Sequence, residues 1–460
     1  MFPSVLPLSL RDPDAWISHC TQPQPALGGQ LGPVRCADFI GQVTRLAEQL
    51  PTGKFAINLC ENRYLFTLAF CAVILKRQTN LLPQNRAEAT QASLLEQYAD
   101  AYVLHDGSAV IATDLPHLNI NTLNLLGEPC HDIPQIDTDF LAAIAFTSGS
   151  TGQPKANLKP WQTLVESSLI NARFMLPAGD RCYSVLATVP AQHMWGLETS
   201  VLLPLFSNLC VADARPLFPQ DVRLALAALA APRVLISTPV HLRALLLSGL
   251  TVPPVAHILC ATAPLPASLA SGVEALFKGE LMEVFGCSEV GSMACRRTAQ
   301  QDMWRVFDGL DFTPLENGDG YHISASHLPS SQILSDNIEW LGGRQFRLLG
   351  RSDDMIEVAG KRGSIQEMNK ILLSAPGVAD GAVFMPEQAA TRNITRPAAL
   401  VVAPTSTKAA LVAHFAKHLD PVFIPRPLLL VESLPREENG KLPRGKLLAF
   451  FEQVRVKSQP

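Results

Sequence analysis

Residues 147–155 combine side chains that could hold a phosphate group. They contain two glycines, four hydroxyl side chains, a proline and a lysine, and they follow a short apolar stretch at residues 143–146. Glycines let backbone N–H groups approach an anion closely, the hydroxyls add donors, and Lys155 adds a positive charge. A solvated Ser/Gly linker is the alternative interpretation of this composition. The segment is not a P-loop, because it lacks the spacing that a P-loop requires between its glycines and its lysine.

The elements that would position this loop follow an alternating pattern. Short apolar stretches typical of buried strands alternate with helical patterns from about residue 55 to residue 284. This alternation predicts an α/β fold with βαβ units, largely parallel sheets and helices on both faces. We expect strands at 55–59, 102–105, 142–146, 183–188, 234–237, 257–260 and 281–284, and helices at 37–50, 64–75 and 161–174.

A change of pattern near residue 302 indicates a second kind of structure. Residues 302–350 carry short strand-like pieces between Gly, Pro and Asn turns, which predict a small antiparallel β element. From residue 351 a mixed α+β unit of roughly a hundred residues follows, with helices expected at 366–374 and 408–418. We therefore predict a large N-terminal domain over residues 1–350 and a smaller C-terminal domain over residues 351–460.

Composition and charge narrow the classes of function. The chain has 460 residues, 47% of them hydrophobic, and a net charge of −4, which indicates no nucleic-acid partner. Its ten cysteines include no C-x-x-C pair, which argues against a zinc site and favours free thiols in a reducing compartment. The longest apolar run, residues 64–75, is too short for a membrane span, and the first residues lack a signal-peptide pattern. We expect a cytoplasmic protein.

After the candidate phosphate-binding loop, the chain contains further segments whose residues could bind a ligand or take part in a reaction. Residues 192–196 place a His and a Trp after a strand, and residues 260–266 form a small-residue loop. Residues 285–289 read Phe-Gly-Cys-Ser-Glu, an Asp follows at 336, and residues 350–356 contain an Arg and two Asp. Residues 435–444 read Pro-Arg, then Gly-Lys, then Arg. Each segment alone is compatible with a turn, a core histidine or a basic tail, so their common order carries the argument.

This ordered set resembles the adenylate-forming superfamily, which includes acyl- and aryl-CoA synthetases, luciferases and peptide-synthetase adenylation domains. The resemblance runs through nearly the whole chain from residue 147 to residue 444, with an abbreviated part before residue 140. Two segments depart from the usual pattern, because Cys260 and Ala261 replace glycines in the adenine loop and Ser335 replaces the glycine before Asp336.

The resemblance implies ATP and Mg²⁺ as ligands and assigns roles to residues. Lys441 would be the catalytic lysine, Glu289 would be catalytic and hold Mg²⁺, and His193 would gate the channel between the acid and thiol sites. Asp353 would be the hinge on which the C-terminal domain turns. The residues implied to bind ATP are Thr147, Ser148, Gly149, Ser150, Thr151, Gly152, Lys155, Ala261, Thr262, Ala263, Phe285, Gly286, Ser288, Asp336 and Arg351.

The activity implied by the resemblance is that of an AMP-forming acid–thiol ligase. Such an enzyme converts an aromatic or aliphatic carboxylic acid to acyl-AMP and then to a thioester. The resemblance disfavours an α-amino acid as the substrate, because peptide-synthetase adenylation domains carry an acidic residue in this region to hold the amino group, and no Asp lies between residues 189 and 197. For the acceptor we favour the phosphopantetheine of an acyl carrier protein, with free CoA as the alternative. A luciferase-like oxidative member and an inactive nucleotide-binding homologue are the remaining alternatives, and retention of Lys155, Glu289 and Lys441 argues against the second.

Overall fold

The structure is a computed structural model, and it describes a large part of the chain. The described residues are 3–111, 116–148, 154–176, 179, 181–316, 320–351, 355–358, 361–386, 396–437 and 440–457.

The first part of the chain contains all strands of a six-stranded sheet, both strands of a two-stranded sheet and two strands of the larger sheet described next. Its elements are β1 (Val5–Pro7), β2 (Trp16–Cys20), β3 (Gly32–Arg35), α1 (Cys36–Gln49), β4 (Phe55–Asn58), α2 (Arg63–Leu75), β5 (Thr79–Leu82), α3 (Glu88–Gln97), β6 (Ala101–His105), β7 (His117–Asn119), β8 (Gln135–Asp137), β9 (Leu141–Ser148) and β10 (Pro154–Pro160). The strand order is β10-β9-β5-β4-β6-β7, and all neighbouring pairs are parallel except β9 and β10. Helix α2 is buried along nearly all of its length, because almost every side chain between Arg63 and Leu75 is apolar.

The second part builds an eleven-stranded mixed sheet. Its elements are α4 (Trp161–Met175), β11 (Tyr183–Ala187), α5 (Met194–Leu197), α6 (Leu203–Phe206), β12 (Leu209–Ala212), α7 (Pro219–Ala228), β13 (Arg233–Ser237), α8 (Pro239–Leu247), β14 (His257–Cys260), α9 (Ala267–Phe277), β15 (Glu280–Cys287), β16 (Gly291–Arg296), β17 (Trp304–Val306), β18 (Leu310–Pro314), β19 (Tyr321–Ala325), β20 (Gln332–Ile333), β21 (Asp336–Gly342) and β22 (Gln345–Arg351). The order is β21-β22-β17-β16-β15-β14-β13-β11-β12-β2-β3, and the strands from β15 to β2 are parallel. Strands β18 to β20 form a separate antiparallel sheet.

The last part is a small α+β unit. Its elements are β23 (Met355–Val358), β24 (Lys361–Ser364), α10 (Ile365–Ser374), β25 (Asp380–Phe384), β26 (Ala398–Val402), α11 (Lys408–His418), β27 (Leu428–Leu430) and α12 (Arg444–Lys457). Helix α10 begins after Ser364, whose hydroxyl accepts a hydrogen bond from the Glu367 N–H and so caps the helix. Its apolar face, with Met368 and Leu372, packs into a core shared with Phe415 of α11.

The predicted α/β fold class with a large and a small domain is confirmed, with local differences. Strand β10 was not predicted; its polar residues alternate with apolar ones, a strand pattern that the neighbouring glycines and proline obscured in the sequence. The predicted β element at 302–350 is divided, because β17, β21 and β22 extend the large sheet and only β18 to β20 stand apart. The boundary after residue 350 stays a prediction.

Two further predictions bear on the environment of the chain. All ten cysteines are free, and most of them are buried. Within the part of the chain that the structure describes, we find no helix with the length and apolar character needed to cross a membrane.

Candidate active site

Four neighbouring parallel strands end at one edge of the large sheet. Strands β15, β14, β13 and β11 lie side by side in that order, so their carboxyl ends share one edge. The residues that follow these ends are Ser288, Ala261, Thr238 and Thr188. In open α/β sheets, ligands bind in the crevice outside the carboxyl ends of the strands. This edge is therefore the candidate active site, and two of the predicted segments, residues 260–266 and 285–289, begin there.

Lys155 and Glu289 meet at this edge although they are far apart in sequence. The Lys155 Nζ lies 2.8 Å from Glu289 Oε1, with the lysine side chain 59% exposed and the carboxylate 26% exposed. Burial acts to raise the pKa of Glu289, but the hydrogen bond and the charge of Lys155, together with hydrogen bonds from the Glu289 N–H and from Cys287, outweigh burial, and the pKa lies below its ordinary value. The hydrogen bond between the two side chains also raises the pKa of Lys155. Two predicted site residues thus form an ionised pair at the surface of the crevice.

Lys159, which the sequence prediction missed, binds the backbone of Glu289, whereas Lys155 binds its side chain. Its Nζ donates to the Glu289 backbone carbonyl at 2.9 Å, and only 1% of the residue is exposed. Burial lowers the pKa of Lys159, while the nearby Glu198 carboxylate opposes that effect. Because side chains alternate along a strand, Lys155 and Lys159 lie on the same face of β10. The signal available in the sequence was this even spacing of two lysines.

Glu198 fixes the turn that carries Glu289 from behind. It opens a single π-helical turn, Glu198–Leu202, between α5 and α6. Its Oε2 accepts a hydrogen bond from Ser292 Oγ at 2.8 Å, and its Oε1 accepts one from the Ser292 N–H at 3.1 Å. Gly291 has a φ of +99°, and a Cβ there would lie 2.3 Å from Glu198 Oε1, so only glycine fits. Burial raises the pKa of Glu198, and the bonds from Ser292 oppose this effect.

His193 lies immediately before α5, with a half-buried side chain. The adjoining turn is tightly fixed, because Trp195 Nε1 donates to the Ser237 carbonyl at 3.2 Å. A Cβ on Gly196 would lie 1.9 Å from the Pro190 carbonyl oxygen, so the close approach depends on glycine. The segment that contains His193 therefore adjoins the carboxyl end of β13, and the gating role of His193 stays a prediction.

A hydroxyl and histidine cluster that was not predicted lies along the same edge. His241 Nδ1 lies 2.9 Å from Thr188 Oγ1 and 3.2 Å from Thr238 Oγ1, and Thr188 also lies 3.0 Å from Ser237 Oγ. Burial, aided by the charge of Arg215, lowers the pKa of His241 to about 4. The imidazole is therefore neutral near pH 7. The sequence could not predict this cluster, because its threonines, serine and histidine do not form a recognisable motif.

The predicted adenine loop follows β14. Residues Ala261, Thr262 and Ala263 come after its last residue, and Thr262 has a φ of +88°, a backbone conformation that a β-branched residue rarely adopts. The Leu265 N–H donates to Glu283 Oε1 at 3.3 Å, which ties the loop to the neighbouring strand β15.

Phe285 and Gly286 lie at the end of β15, where the register with β16 shifts between them. The Phe285 ring is half-buried, with its centroid 5.5 Å from that of Trp304 and 5.7 Å from that of Phe346. These neighbours fix the position of the ring on β15, the strand next to β14.

Asp336 and Arg351 are brought together by strand pairing. They are partners in the antiparallel register of β21 and β22, and Asp336 is half-buried. Thr147 and Ser148 end β9, where they are the register partners of Lys155 and Pro154. The predicted site residues Gly149, Ser150, Thr151, Gly152 and Asp353 lie outside the described residues.

The Lys441 loop lies against the same edge from the side of the C-terminal unit. Lys441 is exposed, and its carbonyl accepts a hydrogen bond from the Glu437 N–H at 2.8 Å. The preceding residue, Gly440, is so close to Thr238 that a Cβ on it would lie 3.2 Å from Thr238 Oγ1. The structure therefore places the loop of the predicted catalytic lysine at the carboxyl end of β13.

Glu289 is the acidic residue best placed to hold a divalent cation. Across the described ranges, no group of three or more His, Cys, Asp or Glu residues could hold a metal by itself. An ionised carboxylate supplies the hard oxygen that Mg²⁺ accepts, and this ion commonly completes its shell with phosphates and water. The single carboxylate of Glu289 fits a metal ion whose other ligands are the phosphate groups of a bound molecule and water.

Comparisons with known proteins identify a family for this chain. Residues 51–308 match the family of AMP-binding enzymes, and residues 367–441 match the C-terminal domain of AMP-binding enzymes. A 4-coumarate–CoA ligase from Rhodobacter capsulatus is 31% identical over 51% of this chain and 58% of its own length. A sulfoacetate–CoA ligase from Cupriavidus necator is 25% identical over 91% of this chain and 90% of its own length.

A solved structure shares the fold. The ATP-bound MatB from Rhodopseudomonas palustris superposes with a TM-score of 0.77 over 97% of each chain at 17% identity. At this identity the likeness concerns the fold.

Proposed function

Because this chain belongs to the family of AMP-binding enzymes, we propose that it is an ATP-dependent ligase that activates a carboxylic acid as acyl-AMP and passes the acyl group to a thiol. The observation that carries the proposal is the pairing of Lys155 with Glu289 at the carboxyl edge, beside which the Lys441 loop lies. Bringing a carboxylate to a triphosphate joins two anions, so the reaction needs cations and a metal ligand in one place.

In the first half-reaction a carboxylate oxygen of the acid attacks the α-phosphorus of ATP. The new oxygen–phosphorus bond forms as the bond to the bridging oxygen breaks and pyrophosphate leaves. Lys155 and Lys441 would neutralise charge on the phosphates and the approaching carboxylate, which is the main task of a protein in this type of transfer. Asp336 would accept hydrogen bonds from the ribose hydroxyls, and Phe285 would contact the adenine.

Glu289 would hold Mg²⁺ together with the phosphates of ATP. When bound, this ion supplies positive charge to the phosphate oxygens. Lys159 and Glu198 keep the Glu289 turn in place through the Glu289 carbonyl and Ser292. The Lys155–Glu289 pair is partly exposed, so separating it to admit the ligand is inexpensive.

In the second half-reaction the thiol sulfur attacks the carbonyl carbon of acyl-AMP. The carbon–oxygen bond to phosphate breaks, AMP leaves, and the proton of the thiol is released to solvent. His193 would line the path of the thiol. No lysine is required at the phosphate in this step, because AMP leaves as a stabilised anion.

The acid is proposed to be an uncharged aromatic or unsaturated carboxylic acid. Behind the carboxyl edge, Trp195, Val290 and Met293 belong to one apolar cluster with residues of β13 and β14. Such a wall favours an apolar body on the substrate and disfavours a second charge. The relative that acts on 4-coumarate supports an aromatic acid as the first choice.

The acceptor is proposed to be CoA, with a carrier protein as the competing outcome of the same assay. The named relatives are CoA ligases, which supports CoA. The carrier favoured on the sequence would need a basic docking surface, and Lys361 is already paired with Asp420 at 2.5 Å. The Lys361–Asp420 pair lies at the surface and could be replaced by a pair with an acidic partner. The thiolation assay therefore distinguishes CoA from a carrier protein as the acceptor.

The test is ATP–pyrophosphate exchange over a panel of acids, followed by thioester formation. The panel contains 4-coumarate, benzoate, sulfoacetate and medium-chain saturated and unsaturated fatty acids. We expect exchange with 4-coumarate or a similar acid, and faster thioester formation with free CoA than with a purified holo-carrier at equal concentration. ATP binding without exchange for any acid would overturn the proposed activity, and turnover with the carrier alone would overturn CoA as the acceptor.

A further inference from the structure

We propose that Arg243 and Arg436 are positioning residues for acyl-AMP formation: Arg436 shapes the loop that carries Lys441, and Arg243 docks the C-terminal unit so that this loop meets the carboxyl edge. This inference rests on the proposed function and extends it to residues outside the predicted segments or without a predicted role.

Arg436 ties the Lys441 loop to β25 of the same unit. Its Nε donates to Asp380 Oδ2 and its Nη2 to Asp380 Oδ1, each at 2.7 Å, while its Nη1 donates to the Gly440 carbonyl at 2.9 Å. Both side chains are mostly buried, with 17% of Arg436 and 20% of Asp380 exposed. A bidentate arginine–carboxylate pair fixes geometry in a plane, which a lysine could not reproduce. The carbonyl next to Lys441 is thereby held in one position.

Arg243 reaches from α8 of the large sheet to the end of α10. Its Nη1 lies 3.2 Å from the Leu373 carbonyl and 3.3 Å from the Val378 carbonyl, and it donates to both. The last carbonyls of a helix have no partner within the helix, and a cation is favoured there. Leu373 belongs to the last turn of α10, so Arg243 supplies a charged hydrogen-bond donor to a carbonyl that has no partner within the helix.

Two groups close to Arg243 link it to the Lys441 loop. Burial lowers the pKa of Arg243, the charge of Asp380 opposes this, and the charge of Arg436 adds to it. The guanidinium of Arg243 is therefore near enough to the Asp380–Arg436 pair to interact with both. The charge of Asp380, which is paired with Arg436, thus also offsets part of the positive charge of Arg243.

Helix α8 contacts the C-terminal unit at a second point as well. A Cβ on Gly440 would lie 3.2 Å from Thr238 Oγ1 and 3.6 Å from Val240 Cγ2, at the start of the helix. One helix thus meets the Lys441 loop with its first turn and the end of α10 with Arg243. Two separated contacts fix an orientation, whereas one contact would leave the unit free to rotate about it.

The two half-reactions provide a readout that a purely structural role would not give. Lys441 is needed where the carboxylate meets the triphosphate, but not where a thiol attacks preformed acyl-AMP. Weakening the docking should therefore slow acyl-AMP formation while leaving transfer from supplied acyl-AMP unchanged. A general loss of folding would slow both.

The first experiment compares Arg243→Ala with Arg243→Lys and with Arg223→Ala. Arg223 is a matched control on the neighbouring helix α7, where its Nε donates to Gln220 of its own helix. We expect Arg243→Ala to slow single-turnover acyl-AMP formation about ten- to a hundred-fold, with the KM for ATP and for the acid nearly unchanged. Arg243→Lys should recover part of the rate, because it keeps a cation at the helix end, and Arg223→Ala should match the wild type.

The second experiment uses Asp380→Asn and amide hydrogen exchange. Asp380→Asn removes the charge on which Arg436 depends and should slow the same half-reaction. In Arg243→Ala, exchange should increase at residues 373–378 and 440–441 and stay unchanged in the core strands β13 and β14. Because exchange needs no substrate, it tests the docking even if the wild type forms no acyl-AMP with any acid.

Two results would overturn the inference. One is an unchanged rate of acyl-AMP formation in both Arg243→Ala and Asp380→Asn. The other is an equal loss in both half-reactions by folded Arg243→Ala protein with wild-type exchange at residues 373–378.

Discussion

The two lysines proposed to meet the phosphates, Lys155 and Lys441, are held in different ways. Lys155 lies on β10, whose ladder with β9 runs over seven register pairs, and its neighbour Lys159 is buried beneath the site. Lys441 is an exposed residue in a loop that meets the large sheet through the buried Gly440, while Arg243 joins the two units nearby. One cation is built into a sheet and the other is delivered by contacts between units.

This difference separates what the fold fixes from what can be exchanged. The Lys155 side depends on buried polar groups, whose removal leaves partners unsatisfied in a low-dielectric interior. The contacts that bring the Lys441 loop to the large sheet include the few hydrogen bonds of Arg243, which can be broken and remade at moderate cost. A reaction with two unlike steps benefits from one fixed cation and one that can withdraw.

The largest effect is expected for Lys441→Ala. It should slow acyl-AMP formation by about a hundred- to a thousand-fold, because a positioned cation that stabilises developing charge is lost. Transfer to the thiol from supplied acyl-AMP should be nearly unchanged. Rapid-quench measurement of each half-reaction checks this, with Lys408→Ala, exposed at the start of α11, as the control. Equal losses in both half-reactions would remove the distinction between the two lysines.

Replacing each lysine of β10 separately should sharpen the comparison within one strand. Lys159→Met should lower the free energy of unfolding by roughly 1–3 kcal/mol, because the Glu289 carbonyl loses a charged donor in a buried site. Lys155→Met should change stability by less than about 1 kcal/mol, since its pair is partly exposed. Lys155→Met should instead raise the KM for ATP about tenfold or more.

Urea unfolding and steady-state kinetics on the same preparations separate these effects. If the two variants lost equal stability, the contrast between a buried and an exposed lysine would be wrong.

Asp336→Ala should weaken ATP binding by roughly 1.5–3 kcal/mol, the range of a hydrogen bond to a charged group. The half-buried aspartate lies at the start of a strand paired with β22, so little loss of stability is expected. Titration calorimetry with ATP measures the change, and Asp311→Ala on the exposed side of β18 is the control. Unchanged affinity would mean that another residue holds the ribose.

The smallest effect is a pH dependence of stability from His241. The pKa of His241 is about 4 in the folded chain and ordinarily 6.5, so between these values the unfolded chain binds the additional proton. Stability should therefore fall as the pH falls from 6.5 to 4, with a contribution of roughly 1–3 kcal/mol. His241→Asn should flatten that part of the profile in urea unfolding at several pH values.

His327 adds a slope of the same sign, because burial and the charge of Lys159 lower its pKa to about 4 as well. Some dependence should remain in the His241→Asn variant. A wild-type curve that rises toward pH 4 would contradict both assignments.

Much of the fold could be predicted from local pattern. Helix α11 has the predicted bounds, Lys408–His418, because a Thr cap precedes it and a 3.6-residue apolar repeat runs through it. Strands β11, β13, β14 and β15 of the large sheet were predicted because continuous apolar runs between turns are typical of doubly covered strands, whereas β2 was not predicted. The order of those strands in the sheet depends on long-range pairing, which no local pattern contains.

The site divides in the same way. Lys155, Glu289 and Lys441 could be predicted as site residues because they lie in motif segments that follow one another in a recognisable order. The ion pair between Lys155 and Glu289 forms because the fold brings the start of β10 close to the turn after β15. Glu198 and Arg243 were missed, because each is a charged residue in an apolar helix and its role depends on a distant partner. The residues proposed to touch ligand carry motif patterns, while Glu198 and Arg243, which hold their surroundings in place, do not.

The pairing of β9 with β10 also sets which changes in length the chain could accept. Lys155 and Lys159 share a face because three residues separate them on a strand with a two-residue repeat. Deleting or adding one residue between them would turn one lysine to the opposite face and separate the side-chain contact with Glu289 from the backbone contact. Within this strand, length is therefore as strongly constrained as residue identity, and we expect naturally occurring insertions to lie outside it.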